Sequence, residues 1–326
     1  MTTMQYVVWI ALFSIILVIS AVVMSRPAFR QKPDSVVIRR PGYRFLGRPQ
    51  PAQPEAAIDL DYALLSLAAY GDIKKNKPDK ENSRIDANEL LSGMGWSRWT
   101  TFPETNLQAK MDAVHLRAEV WSNRSKGCVV VAFGGTVFSS WKDWKSNLHW
   151  FDPFQHDEYS LVVDKFGPEF HDSFAKQRET PGWEFLQGAS LYSTGHSLGG
   201  GLAEEFAYSL RAGCPRVPRV TKVYAFDPSP VTGFLSVKRS TRMENKKNLK
   251  IDRIYERGEV LAILRSITSA IHKPPAVNPE VRQLRYNLFG NDRFGVTNPI
   301  AGHSIQDLAR GLKKAAVPLT GTDSKR

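Results

Sequence analysis

Two periods run through the apolar and polar positions of the chain. From Ile58 to Tyr70 the residues Leu60, Ala63, Leu64, Leu67 and Ala68 recur three and four apart, which predicts a packed helix. Leu116, Ala118 and Val120 alternate with polar neighbours, as in a half-exposed strand, and residues 123–127 follow as a turn. Cys128 to Phe133 is then an unbroken apolar run, the pattern of a strand buried on both faces, and Val223 to Phe226 reads the same way. Weaker strand signals lie at Ala189–Thr194, Leu249–Tyr255 and Val281–Leu288. Leu202, Ala203, Phe206, Ala207 and Leu210 share one face of a helix that Gly213 and Pro215 should end. Strands alternating with helices predict an α/β protein whose mostly parallel central sheet is flanked by helices.

Ahead of this pattern, Tyr6 to Met24 carries no charge. At 1.5 Å per residue such a segment makes a helix of about 28 Å, close to the hydrocarbon thickness of a bilayer. Tyr6 and Trp9 suit the headgroup boundary, and residues 1–25 are expected to be a transmembrane anchor. A cleaved signal peptide is the competing reading; it fits less well because no Lys or Arg precedes the stretch and the stretch is long for such a peptide. Arg26, Arg30, Lys32, Arg39, Arg40, Arg44 and Arg48 follow it, and this bias places the C-terminal side in the cytoplasm. The prolines among them (Pro27, Pro33, Pro41, Pro49, Pro51 and Pro54) predict an extended, basic linker over residues 26–56. A globular domain is expected over 57–316, and a polar tail over 317–326. Within the domain, Lys238 to Lys250 holds six Lys or Arg and one Glu, the composition of a solvated loop.

The net charge of +12 points to an anionic partner, a membrane surface or nucleic acid. There is no zinc-finger spacing, Walker-type loop or single-strand-binding motif, so nucleic acid is not expected. The basic run would instead lie against anionic headgroups, at about 1 kcal/mol per charge near the surface. Two cysteines, Cys128 in the apolar run and Cys214 beside a proline, imply free thiols and no disulfide framework. The remaining composition, 42% hydrophobic with 8 Trp and 17 Phe, is ample for one large core.

The chemistry-bearing motif is Gly195-His196-Ser197-Leu198-Gly199, which fits G-x-S-x-G. A nucleophilic serine on a tight strand-to-helix turn needs residues without side chains two before and two after, so that the turn can close. At ordinary glycine frequency a chain of this length holds roughly 0.1 such matches by chance. A strand signal before the motif and an amphipathic helix after it strengthen the match. The N–H of Leu198, directly after the serine, is one expected oxyanion donor. In this type of site the acid and then a histidine follow the serine along the chain. Of the seven histidines only His272 and His303 come after Ser197 in loops. His303 follows the last strand signal and opens the helix of Ile305, Leu308 and Leu312, which favours it. Asp227 and Glu259, each after a strand signal, are the candidate acids.

Thr194-Gly195-His196-Ser197-Leu198-Gly199-Gly200 resembles the elbow of the class 3 (fungal-type) triacylglycerol lipases, within the α/β-hydrolase superfamily. A second block is similar too: Val129 to Thr136, followed by Trp141, Asp143, Trp144, Asn147 and Leu148, looks like that family's strand, oxyanion turn and start of lid. The segments Leu64–Tyr70 and Phe170–Phe174 are also alike, and the resemblance extends over about 57–316. It departs where the family usually has Arg and this chain has Gly134, and where Pro181-Gly182 interrupts the approach to the elbow.

The resemblance implies an α/β-hydrolase fold and a serine carboxylic ester hydrolase, with no metal or organic cofactor. It implies Thr136 as the second oxyanion donor and His303 as the base. It places the acid after the second strand beyond the elbow, which selects Glu259 and leaves Asp227 as the alternative. The aromatic segment Trp141, Trp144, Trp150, Phe151 and Phe154 falls where the family has its lid. With the anchor, this implies a lipid ester substrate, an acylglycerol or a phospholipid. An inactive membrane-tethered interaction module and an acyltransferase are the alternative readings.

Overall fold

The computed structural model of the chain describes residues 31–71, 85–135, 157–210, 216–229, 236–257, 273–289 and 304–318. In chain order they form β1 (Ser35–Arg39), β2 (Gln50–Pro51), α1 (Gln53–Ala68), α2 (Ala87–Gly93), β3 (Trp96–Arg98), α3 (Thr105–Ala113), β4 (Arg117–Asn123) and β5 (Cys128–Gly134). After these come α4 (Asp157–Leu161), a π-helical turn (Val162–Phe166), α5 (Gly167–Arg178), a 3-10 turn (Glu184–Gln187), β6 (Ser190–His196) and α6 (Leu198–Ser209). The last are β7 (Val220–Phe226), α7 (Arg239–Asn245), β8 (Lys250–Glu256), β9 (Glu280–Asn287) and α8 (Ile305–Ala316). The sheet order is β2-β1-β9-β8-β7-β6-β5-β4-β3.

The five central strands, β5 to β9, are parallel, so their carboxyl ends (Gly134, His196, Phe226, Glu256 and Asn287) share one edge. Both margins of the sheet run antiparallel. The expected mostly parallel sheet is thus parallel only at its centre. The run Val129-Val130-Val131 is fully buried because β5 is covered on both faces. Each such side chain contributes about 1.5–3 kcal/mol. Val129 and Val131 face a layer that includes Phe170 of α5 and Phe206 of α6, whereas Val130 and Ala132 face α1 and α8. Helix α1 is therefore buried on nearly every side from Asp61 to Ala68: it lies between the sheet and α8.

Two sequence expectations are corrected here. Residues 26–56 are not wholly an extended linker, since Ser35–Arg39 forms β1 along the edge of β9 and Gln53 begins α1. Of the prolines that suggested a linker, Pro33 precedes β1 and Pro41 follows it, whereas Pro51 ends β2 and Pro54 lies in the first turn of α1. The basic stretch from Lys238 to Lys250 is not a loop; it contains α7. Its Asn245 is buried and donates from Nδ2 to the carbonyls of Tyr208 at 2.9 Å and Leu210 at 2.6 Å, tying α7 to the end of α6. Among the described residues no helix is long and apolar enough to cross a membrane, and the expected anchor over 1–25 lies outside them.

Candidate active site

Strand β6 ends at His196, and α6 begins at Leu198. Ser197 between them has φ 59° and ψ −122°, a left-handed conformation that costs a non-glycine residue about 1–3 kcal/mol. The surroundings hold it there. Its N–H donates to Phe226 O at 2.9 Å, and its carbonyl accepts from Gly200 N and Ser229 N, both at 3.0 Å. The flanking glycines are required by space. A Cβ on Gly195 would stand 2.1 Å from Gly199 O, and one on Gly199 would stand 2.3 Å from Phe133 O. Spacing in the sequence anticipated this closure of the turn. Ser197 is 1% exposed and sits at the carboxyl edge of the parallel strands, where α/β sheets place their ligands.

The turn after β5 reaches the same point. A Cβ on Gly135 would stand 2.5 Å from His196 O, 2.5 Å from the Tyr70 hydroxyl and 3.3 Å from Ser197 Cβ, so the Gly135 backbone lies against the serine. Tyr70 follows α1, is 6% exposed, and bonds His196 Nδ1 at 2.6 Å. Where the resembling family has Arg, a Cβ on Gly134 would stand 2.6 Å from Ala69 O. From the neighbouring strand Arg117 Nη1 donates to Tyr70 O at 2.5 Å. The turn, the end of α1 and the elbow therefore form one packed unit.

Asp227, the alternative acid, follows β7 with φ 41° and is completely buried. Its N–H donates to Ile254 O at 2.7 Å, and its Oδ2 lies 3.9 Å from His196 Nε2. The His196 ring thus lies between Tyr70 and Asp227. Glu256, at the end of β8, was not singled out in the sequence. It is buried and accepts from Leu288 N–H at 3.0 and 3.2 Å, where the segment leading to α8 begins. Burial pushes its carboxyl up to about 8, although backbone N–H groups of Leu288, Phe289 and Arg257 pull the other way. Leu198 opens α6. Thr136, Glu259, His303, the competing His272 and the aromatic segment from Trp141 to Phe154 lie outside the described residues, with Gly135 and Ser304 as the chain neighbours of Thr136 and His303.

No alternation or motif marked the contact between Tyr70 and His196, or Glu256. The first two are brought together across 126 positions of sequence, which only the sheet order achieves.

Fold and elbow together are those of an α/β protein with a serine on a tight strand-to-helix turn at the carboxyl edge of its parallel strands. More particularly, residues 61–213, just under half of the chain, match the model of a phospholipase-like family, the Tle-like phospholipase domain, which supports a lipase-like carboxylic ester hydrolase. No curated protein matches the chain in sequence. Among solved structures the chain is similar to a Rhizomucor miehei lipase in its propeptide complex, at 16% identity over 71% of this chain and 67% of that one, with a TM-score of 0.40. It is also similar to lipase II from Rhizopus niveus, at 16% identity over 72% of this chain and 79% of that one, with a TM-score of 0.40.

Proposed function

We propose that the chain is a membrane-anchored serine lipase or esterase that cleaves a carboxylic ester of a lipid through an acyl-enzyme on Ser197. The observation that carries this reading is the strained Ser197 elbow with the Gly135 backbone packed against it, 3.3 Å from Ser197 Cβ to a Cβ built at that position. That juxtaposition is what acyl transfer requires: a nucleophile beside a turn that can present N–H donors. In the proposed mechanism His303 takes the Ser197 proton as Oγ attacks the ester carbonyl. The N–H groups of Leu198 and Thr136 hold the oxyanion, each worth about 3 kcal/mol. His303 then protonates the leaving alcohol, and water hydrolyses the acyl-enzyme by the reverse roles. Glu259 orients His303. Asp227 is the weaker choice for that role, because its carboxylate faces His196.

The phospholipase-like match favours a phospholipid over an acylglycerol. The uncharged run from Tyr6 to Met24 and the basic residues after it support a single-pass anchor, with the catalytic domain on the cytoplasmic side. The test is labelling of the purified full chain with a fluorophosphonate probe, with and without liposomes. Wild type should label and a folded Ser197→Ala variant should not. Labelling that survives the substitution would exclude Ser197, and no labelling of folded wild type in either condition would favour the inactive interaction module. Glu259→Gln and Asp227→Asn, compared separately, assign the acid, since the true one should cost on the order of 10,000-fold in kcat.

A further inference from the structure

Beneath the elbow, three buried polar side chains from three parts of the chain meet: Tyr70, His196 and Asp227, at 6%, 4% and 0% exposure. The mechanism above gives the first two no task. We propose that Tyr70 and His196 form a brace that positions the Gly135 turn against Ser197, and that Asp227 fixes the His196 tautomer the brace needs. This inference rests on the function proposed above and deepens it; none of the three residues is assigned contact with substrate.

The bonding at the Tyr70 hydroxyl is directional. Its oxygen packs against the Gly135 backbone, 2.5 Å from where a Cβ on that residue would stand, and it has one proton to place. Two acceptors lie within reach: His196 Nδ1 at 2.6 Å and His196 O at 3.4 Å. The shorter contact wins, because hydrogen bonds weaken steeply with length. Nδ1 must then carry a lone pair, which puts the ring proton on Nε2. Nε2 is the nitrogen facing the Asp227 carboxylate, 3.9 Å from its Oδ2. That distance is long for a hydrogen bond, but in a buried site a carboxylate still favours the tautomer whose N–H points toward it. Burial also holds the Tyr70 hydroxyl well above its ordinary range, so it keeps the proton it donates.

The chain Asp227, His196, Tyr70 and Gly135 therefore runs from the end of β7, under the serine, to the turn that leads into Thr136. An oxyanion donor acts only if it is in place before charge develops, and a misplacement of about 1 Å costs on the order of 100-fold. Tyr70 and His196 are accordingly positioning residues, and their effect should fall on kcat.

The test uses the full chain and a short, soluble p-nitrophenyl ester, with melting temperature followed in parallel. Tyr70→Phe removes the hydroxyl and keeps the ring; kcat and the rate of fluorophosphonate labelling should fall 10- to 100-fold with KM within about 2-fold. Two substitutions at His196 separate bracing from packing. His196→Asn places an amide oxygen near the Nδ1 position and should retain kcat within about 3-fold. His196→Gln places its amide near Nε2, loses the Tyr70 bond and should fall as far as Tyr70→Phe. Wild-type kcat in folded Tyr70→Phe would overturn the brace. If that variant does not fold, equal losses in His196→Asn and His196→Gln would overturn it. Failure of the functional reading looks different: wild type itself would neither label nor turn over the ester.

Discussion

Glu204 and Glu205 are neighbours on α6 with the same side chain and opposite circumstances. Glu204 holds Arg253 in a two-point contact, both bonds at 2.8 Å. Glu205 is fully buried, and among the described residues neither of its carboxylate oxygens has a hydrogen-bond partner. Burial pushes the Glu205 carboxyl up to about 10, and the charge of Asp164 adds to the shift. In the folded chain this group keeps its proton to high pH, whereas in the unfolded chain it loses it near the ordinary value of 4.5. Between those limits the folded state binds more protons, so its stability falls as pH rises from about 4.5 toward 10. Glu205→Gln stays neutral throughout. We expect the wild-type melting temperature to drop between pH 5.5 and pH 9 and the variant to drop less, with the variant the more stable at pH 9. Parallel curves for the two proteins would mean that Glu205 finds a partner as it ionises. Nothing in the sequence separates these two glutamates, because the difference lies in which neighbour each meets: Arg253 on β8 for one, and the turn carrying Asp164 for the other. The glycines around Ser197 are the contrary case. Their spacing alone states that two backbone segments must touch, and contacts that a Cβ would make at 2.1 and 2.3 Å bear this out.

Elements whose burial is uniform along their length were legible in the sequence. Strand β5 and the Val223–Phe226 part of β7 show as apolar runs because parallel strands at the centre of a covered sheet have no wet face there. Helix α8 shows as a stripe of Ile305, Leu308 and Leu312 because one side meets α1 and the other meets water. Helix α7 was illegible for the opposite reason. It is short and basic, and it is held by its buried Asn245 and by Glu244, which pairs with Arg219 at 2.6 Å and Lys247 at 2.7 Å. Such contacts leave no hydrophobic period to read. The start of α8 bears on the site, because Ser304 caps it, accepting from Asp307 N–H at 3.3 Å, and is the residue after His303. Ser304→Ala should cost about 1 kcal/mol, the usual value of such a cap. If His303 is the base, the same change should also lower the rate of fluorophosphonate labelling, because the capped turn fixes where the chain leaves the helix. A urea midpoint and a labelling time course on one preparation check both. Lost stability with an unchanged labelling rate would separate His303 from the chemistry.

At the scale of the whole molecule, what decides where the folded unit begins is the edge of the sheet. Composition places that start near Ala57, because the preceding residues are rich in Arg and Pro. The structure places it before β1, which pairs with β9 from Ser35 opposite Asn287 to Arg39 opposite Gln283. Gln31 is locked in just ahead: its Nε2 donates to Ser35 O and Arg285 O, both at 2.9 Å, and its carbonyl accepts from Asn287 Nδ2 and Arg257 Nη1, both at 3.0 Å. Without β1 and β2, strand β9 would become an open edge with a row of unpaired backbone groups, a template for association. Val36 and Val37, both fully buried, would be lost from the core as well. A chain that begins at residue 26 should therefore melt cooperatively, run as a single species on size exclusion without detergent, and keep its reactivity toward a soluble ester. A chain that begins at residue 57 should aggregate or lose amide protection along β9. Two chains of equal stability would show that β1 only decorates the fold. A residue-26 chain that still needs detergent would show that the apolar surface lies in the domain, and would count against an anchor in the first 25 residues.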